Sequence, residues 1–147
     1  GRSYSELKLR EHETEWQSEE FELIASEQAK REEEMARVAN KVLICDTNAF
    51  ATELWHERYM GNMSPEVNSI GDQAKADLYL VTDVDIPFVQ DGTRDGEHIR
   101  TWMHQRFIDE LKNRNLPYLV LSGTHEERMQ RAQEAIDFVM KNSSPVA

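Results

Sequence analysis

Two groups of residues in this sequence combine the types and spacing that phosphoryl chemistry needs. In the run Val42-Leu43-Ile44-Cys45-Asp46-Thr47, an aspartate follows four apolar residues. An aspartate at the carboxyl end of a buried strand is where nucleotide-binding α/β proteins keep a Mg²⁺ ligand, because that edge of the sheet faces the phosphates. Leu78-Tyr79-Leu80-Val81-Thr82-Asp83 nearly repeats the pattern. An aspartate capping the next helix reads the same way, so ligand and cap both stay open. The second group is the loop at 91–100. Its Asp91, Thr93, Asp95 and Gly96 imitate positions 1, 3, 5 and 6 of a calcium-binding EF-hand, but position 12 is Trp102 rather than glutamate, which excludes calcium. What is left is a glycine-bearing polar loop presenting Arg94, with Arg100 on the helix that follows. Guanidinium groups so placed neutralise charge on a transferred phosphoryl group. Local ion pairs with Asp91 and Asp95, worth ~0–1 kcal/mol each, account for the same residues.

Other chemistries find less support. His12, His56, His98, His104 and His125 offer no i, i+4 ligand pair, and His125-Glu126-Glu127-Arg128 is not a zinc-protease motif, so a zinc site is not expected. Cys45 lies in an expected central strand, where burial raises a thiol's pKa and makes it inert. Trp102 reads as core; Trp16 and Trp55 suit either core or an aromatic ligand. Neither Gly-x-x-x-x-Gly-Lys-Ser/Thr nor Gly-x-Gly-x-x-Gly occurs, so these residues contain no phosphate cradle of a known kind.

The elements that must position these groups follow from the hydropathy pattern. Apolar runs at 41–45, 77–81 and 117–121 have the unbroken character of strands buried on both faces of a parallel sheet. Helix-length segments separate them, which implies an α/β domain with crossover connections. The first helix is expected from Glu15 to Asn40, with Phe21, Ile24, Ala25, Gln28, Met35 and Ala39 inward and Glu32-Glu33-Glu34 on a solvated face. Thr47 or Asn48 starts a second, ended by Gly61, and Ser64-Pro65 starts a third. Residues 83–97 form a polar loop. A helix then runs from Glu97 to Asn113 with Ile99, Met103, Phe107 and Leu111 at steps of four. The last runs from Thr124 to Asn142 with Met129, Ala132, Ala135, Ile136 and Val139 inward. Residues 1–142 thus read as one domain and 143–147 as a flexible tail.

Composition narrows the partners. With 17 basic against 28 acidic residues in 147, the net charge is −11 and no basic tract offsets it, so neither nucleic acid nor an anionic membrane is expected as main partner. Small anions held by a few arginines are compatible with it. These residues hold no run of 18 apolar residues and no signal-peptide pattern, so neither a membrane span nor secretion is expected, and the single cysteine suits a reducing cytoplasm. The opening Gly1-Arg2, without Met, reads as a cut inside a longer polypeptide.

Taken in order, Gly1-Arg2, Glu27-Gln28, Ile44-Cys45-Asp46-Thr47-Asn48-Ala49-Phe50, Trp55-His56-Glu57-Arg58-Tyr59, Asp77-Leu78-Tyr79-Leu80, Val89-Gln90-Asp91-Gly92-Thr93-Arg94 and Leu121-Ser122-Gly123-Thr124-His125-Glu126-Glu127-Arg128 resemble the kinase domain of the NadR family. The resemblance runs from Arg2 to about Val139. It implies a three-layer αβα P-loop NTPase-like parallel sheet, and phosphorylation of nicotinamide riboside by ATP and Mg²⁺ to nicotinamide mononucleotide for NAD synthesis. Many such proteins carry a fused nucleotidyltransferase domain. By position, Asp46 would hold Mg²⁺. Arg94 and Arg100 would be lid arginines. Arg2, Trp16, Gln28 and Asp91 would contact the nucleoside, and Ser122, Gly123 and Thr124 the adenine. The Walker A loop and the first two strands of that family would precede Gly1, so the chain reads as a fold truncated at its N-terminus and inactive alone. The alternatives are a non-catalytic binding module and a P-loop phosphotransferase with another acceptor.

Overall fold

The computed structural model describes residues 15–89 and 96–143. The chain divides into two compact units, residues 1–75 and 76–147.

In the first unit three helices pack together: α1 (Ser18–Val38), α2 (Ala49–Met60) and α3 (Pro65–Gln73). Their ends follow local side-chain chemistry. Asn48 caps α2 by accepting the Ala51 N–H at 3.3 Å, and Gly61 closes it in the left-handed region at φ 79°. Ser64 caps α3 by accepting the Val67 N–H at 3.3 Å, with Pro65 at the first helical position. α1 begins later than expected, where the Gln17 N–H donates to Glu20 Oε2 at 2.6 Å.

Phe21 and Ala25 of α1, Ala49 of α2 and Val67 of α3 form the core of this unit, ringed by Trp16, Trp55, Met60, Ile70 and Ala74. The inward stripe of α1 stops short of its expected length: Ile24 and Gln28 are half-buried, but Met35 and Ala39 are exposed. α1 has 21 residues, about 31 Å, whereas the 12 of α2 span about 18 Å and cannot cover it. Glu32 departs in the other direction. It is half-buried, whereas Glu33 and Glu34 are solvated as expected. α2 is buried on most sides, with Phe50, Leu54, Glu53 and His56 among its most enclosed side chains. Gly71 makes room for the Glu53 carboxylate, since a Cβ there would come within 1.7 Å of Glu53 Oε1. With its amide oriented to suit its neighbours, Asn68 donates to Glu53 Oε2 at 3.3 Å.

The strand expected at 41–45 does not form. Among the described residues the segment pairs with no strand, and Val42, Ile44 and Cys45 are exposed. An unbroken apolar run becomes a buried strand only where a sheet offers it a hydrogen-bonding edge.

The second unit alternates as expected: β1 (Tyr79–Thr82), α4 (Glu97–Asn113), β2 (Tyr118–Leu121) and α5 (His125–Asn142). β1 and β2 pair in parallel, Tyr79 opposite Tyr118 through Thr82 opposite Leu121. The architecture is therefore α/β, with a two-stranded parallel sheet among the described residues. Met103 and Leu111 are buried and Ile99 and Phe107 half-buried, the stripe read from their spacing. Trp102 is 40% exposed rather than core, because one residue off that stripe is a rotation of about 100°. Met129 is exposed as well. The buried residue of α5 is Arg128, in line with half-buried Ala132 and Ile136 at steps of four.

Among the described residues no helix is long and apolar enough to cross a membrane.

Candidate functional site

In the first unit two of the expected site residues, Gln28 and Asp46, lie beside the turn that leads into α2. Gln28 Nε2 donates to Thr47 Oγ1 at 3.3 Å, so α1 grips the residue after Asp46. Thr47 holds φ at 63°, a left-handed conformation uncommon for a β-branched residue. Such outliers persist where surrounding contacts over-determine them. Asp46 itself is exposed. Cys45 is exposed rather than buried, yet its thiol pKa is still pushed up, first by local desolvation and then by the Glu32 carboxylate. Desolvation also raises the Glu32 pKa, and its shielded Oε1 has no hydrogen-bond partner among the described residues.

No cluster of three His, Cys, Asp or Glu side chains that could cage a metal occurs among the described residues. One exposed carboxylate such as Asp46 still fits Mg²⁺, which keeps several waters and takes one or two carboxylates plus phosphate oxygens.

Trp16 belongs to an aromatic ladder. Its ring lies 5.5 Å from Tyr59, and Tyr59 stacks on Trp55 at 6.1 Å and 24°. Phe21 meets the Trp16 ring at 5.2 Å. Beneath it His56, 2% exposed, packs edge-on to Phe21 at 5.3 Å. The Asn62 carbonyl can only accept, so His56 Nδ1–H donates to it at 2.8 Å. In the neutral ring, Nε2 then accepts the Ser18 hydroxyl at 2.6 Å.

In the second unit the polar groups converge at the carboxyl ends of β1 and β2. Asp83 follows β1 and Ser122 follows β2, and the Ser122 hydroxyl donates to Asp83 Oδ2 at 2.7 Å. Asp83 Oδ1 accepts the Val84 N–H at 2.7 Å and faces His104 Nε2 at 3.6 Å. The Ser122 hydrogen bond, then that of Val84, hold the Asp83 carboxyl below its usual range, against some desolvation and with help from the charges of His104 and Arg128. A lowered pKa makes Asp83 stabilising above its unfolded pKa, and that contribution is lost as pH falls through the folded value. Ser122→Ala should therefore raise the Asp83 pKa in a carbon-detected NMR titration and move acid unfolding to higher pH. An unmoved Asp83 pKa would show that another group holds the shift.

Ser122, Gly123 and Thr124 form the turn into α5. Gly123 takes φ 91°, and a Cβ there would meet Glu127 Oε2 at 2.3 Å, so only glycine suits. Thr124 and Glu127 make a capping box: the Thr124 N–H donates to Glu127 Oε2 at 2.7 Å and the Glu127 N–H to Thr124 Oγ1 at 3.2 Å. A shallow, open groove runs over the turn, lined by Ser122, Gly123, Glu127, Gln130, Arg131 and Glu134. Its charged lining is one guanidinium, Arg131, and two carboxylates, of which Glu127 is engaged in the capping box.

Arg100 lies at the root of the polar loop. Its NH1 donates to the Ile86 carbonyl at 2.7 Å and its NH2 to the Val84 carbonyl at 3.2 Å, with the guanidinium 5.6 Å from the Phe88 ring centre. Its Nε is shielded and has no partner among the described residues. Arg2, Asp91, Gly92 and Arg94 lie outside the described residues. Sequence reasoning did not single out Asp85, Arg128, His104 or Tyr59. For Arg128 a signal existed, its place on the apolar stripe of α5.

Residues 1–128 match the model of an AAA-domain family. The chain belongs to that family. This AAA domain is 27% identical over 143 residues to the trifunctional NAD biosynthesis/regulator protein NadR of Salmonella typhimurium, and 26% identical to that of Escherichia coli. Each match covers 95% of this chain and 35% of the relative, so the chain spans about a third of the length of the curated relatives it matches. No solved structure matches it. The NadR resemblance carried by the motifs is thus borne out over nearly the whole AAA domain.

Proposed function

We propose that residues 1–142 belong to a nucleoside kinase domain as its C-terminal two-thirds, and that in the intact protein this three-layer P-loop fold transfers the γ-phosphoryl group of ATP to the 5′-hydroxyl of nicotinamide riboside. The observation that carries this reading is the match to NadR across 95% of the chain, since a local motif alone would not extend so far. The geometry adds support at three places. Ligands of open parallel α/β sheets bind at the strands' carboxyl ends, where Asp83 and Ser122 stand. The Trp16–Tyr59–Trp55 ladder offers ring faces to a flat cationic base such as nicotinamide. The groove over Ser122 and Gly123 suits adenine.

In this reading Trp16 stacks on the nucleoside base, Arg2, Gln28 and Asp91 contact the nucleoside, and Arg94 acts on the transferred phosphoryl group. Ser122, Gly123 and Thr124 seat the adenine. Asp46 holds Mg²⁺, which when bound neutralises charge on the phosphates. Arg100 anchors the root of the loop that carries Arg94 and adds its positive charge there. Catalysis is then mostly positioning and charge neutralisation. A fused nucleotidyltransferase domain, as the words NAD biosynthesis in the relatives' name allow, would consume the product.

The test is a panel of ribosides offered to the intact protein with MgATP. Nicotinamide riboside should be the preferred acceptor. Preference for a purine or pyrimidine riboside would keep the phosphotransferase class and overturn the acceptor; hydrolysis without transfer would overturn both.

A further inference from the structure

The turn proposed to seat the nucleotide base is not held by its own helix alone. Asp85 accepts the Gly123 N–H at 2.6 Å through Oδ2, and through Oδ1 it pairs with Arg128 NH2. Arg128 in turn donates Nε to the Gly123 carbonyl at 2.9 Å. Both main-chain polar groups of Gly123 are therefore taken by this one ion pair. Arg128 is largely buried, its side chain 9% exposed, whereas Asp85 is about one-third exposed, at 35%. Asp85 also sits between Val84 and Ile86, whose carbonyls Arg100 holds from α4.

We propose that Asp85 and Arg128 are positioning residues that lock the Ser122–Gly123 turn and the root of the 84–89 segment into one unit, and so set the affinity for the adenine nucleotide. The inference rests on the reading that this turn seats the base. Two features make the pair more than a surface ion pair. A guanidinium presents Nε and NH2 as a planar fork, and here one prong takes the Gly123 carbonyl and the other Asp85. The carboxylate likewise divides its oxygens between a main-chain N–H and the fork. Neither role survives a conservative change: a lysine at 128 keeps the charge but has no second prong, and an asparagine at 85 keeps the shape but turns either an amide N–H toward the fork or its only acceptor away from Gly123.

The experiment compares intact wild-type protein with Asp85→Asn and Arg128→Lys. It reads MgATP affinity, the steady-state KM for ATP against kcat, and hydrogen exchange at the Gly123 amide. In each variant the Gly123 amide should exchange about tenfold faster or more. The dissociation constant and KM for ATP should rise about tenfold, while kcat changes less than about threefold. Unchanged ATP affinity in both variants, with MgATP still shifting the Ser122 and Gly123 amide resonances of the wild type, would overturn the inference and leave the base-binding reading standing. MgATP that binds the wild type without shifting those resonances would overturn that reading, and the inference with it. Loss of kcat and affinity together with an equal loss of thermal stability would assign the pair a structural role alone and also overturn the inference.

Discussion

Arg94→Ala in the intact protein should lower turnover with nicotinamide riboside by about 10³-fold while leaving the KM for the nucleoside within about threefold, the split expected of a group that acts only in the transition state. The charge on a transferring phosphoryl group is spread over its equatorial oxygens, and a guanidinium meets several of them with one planar fork. Lysine should recover only part of the loss, since it supplies the charge without the fork. The neighbouring Arg100 gives the contrast. It is engaged by the carbonyls of Val84 and Ile86 and by the Phe88 ring, so its removal should loosen the loop's root as well as withdraw charge. Single-turnover measurements with MgATP separate chemistry from binding. Wild-type turnover in Arg94→Ala would remove Arg94 from the chemistry.

The second large effect concerns stability. His56→Ala should cost about 3–5 kcal/mol, read as a lowered urea midpoint, because it opens a ring-sized void and strips two polar groups of their partners. The buried ring links the start of α1, through Ser18, to the turn after α2, through Asn62. The ring also packs edge-on to Phe21, which meets Trp16, so the aromatic ladder rests on it. His56→Asn keeps a short donor for the Asn62 carbonyl and should lose less than the alanine variant. Equal losses in the two would mean that ring packing, and not the hydrogen bonds, sets the cost.

Much of the fold could be read before any coordinates because its boundaries are chemical and local. Asn48 and Gly61 bracket α2, Ser64 and Pro65 open α3, and Thr124 with Glu127 opens α5, each through contacts within a few residues. β1 and β2 were legible for a similar reason: an apolar run followed by a polar turn. What could not be read depends on neighbours distant in sequence. The run at 41–45 carries the same apolar signal as β1, but a strand needs an edge to pair with, and sequence does not say whether one is offered. Ser18 meets His56 across 38 residues, and Asp85 meets Arg128 across 43. No periodicity announces either pair. Of the site residues, Gln28 was singled out only through the NadR resemblance, and its hydrogen bond to Thr47, 19 residues away, has no signal in the sequence.

The proposed function turns on γ-phosphoryl transfer to the 5′-hydroxyl of a riboside. Incubating the intact protein with nicotinamide riboside and MgATP carrying radioactive phosphorus at the γ position, then separating the labelled products by chromatography, tests it most directly. The label should appear in a phosphomonoester at the 5′-oxygen, in step with ADP and absent in Arg94→Ala at matched times. Label released only as inorganic phosphate, or ADP formed at the same rate with and without the riboside, would contradict it.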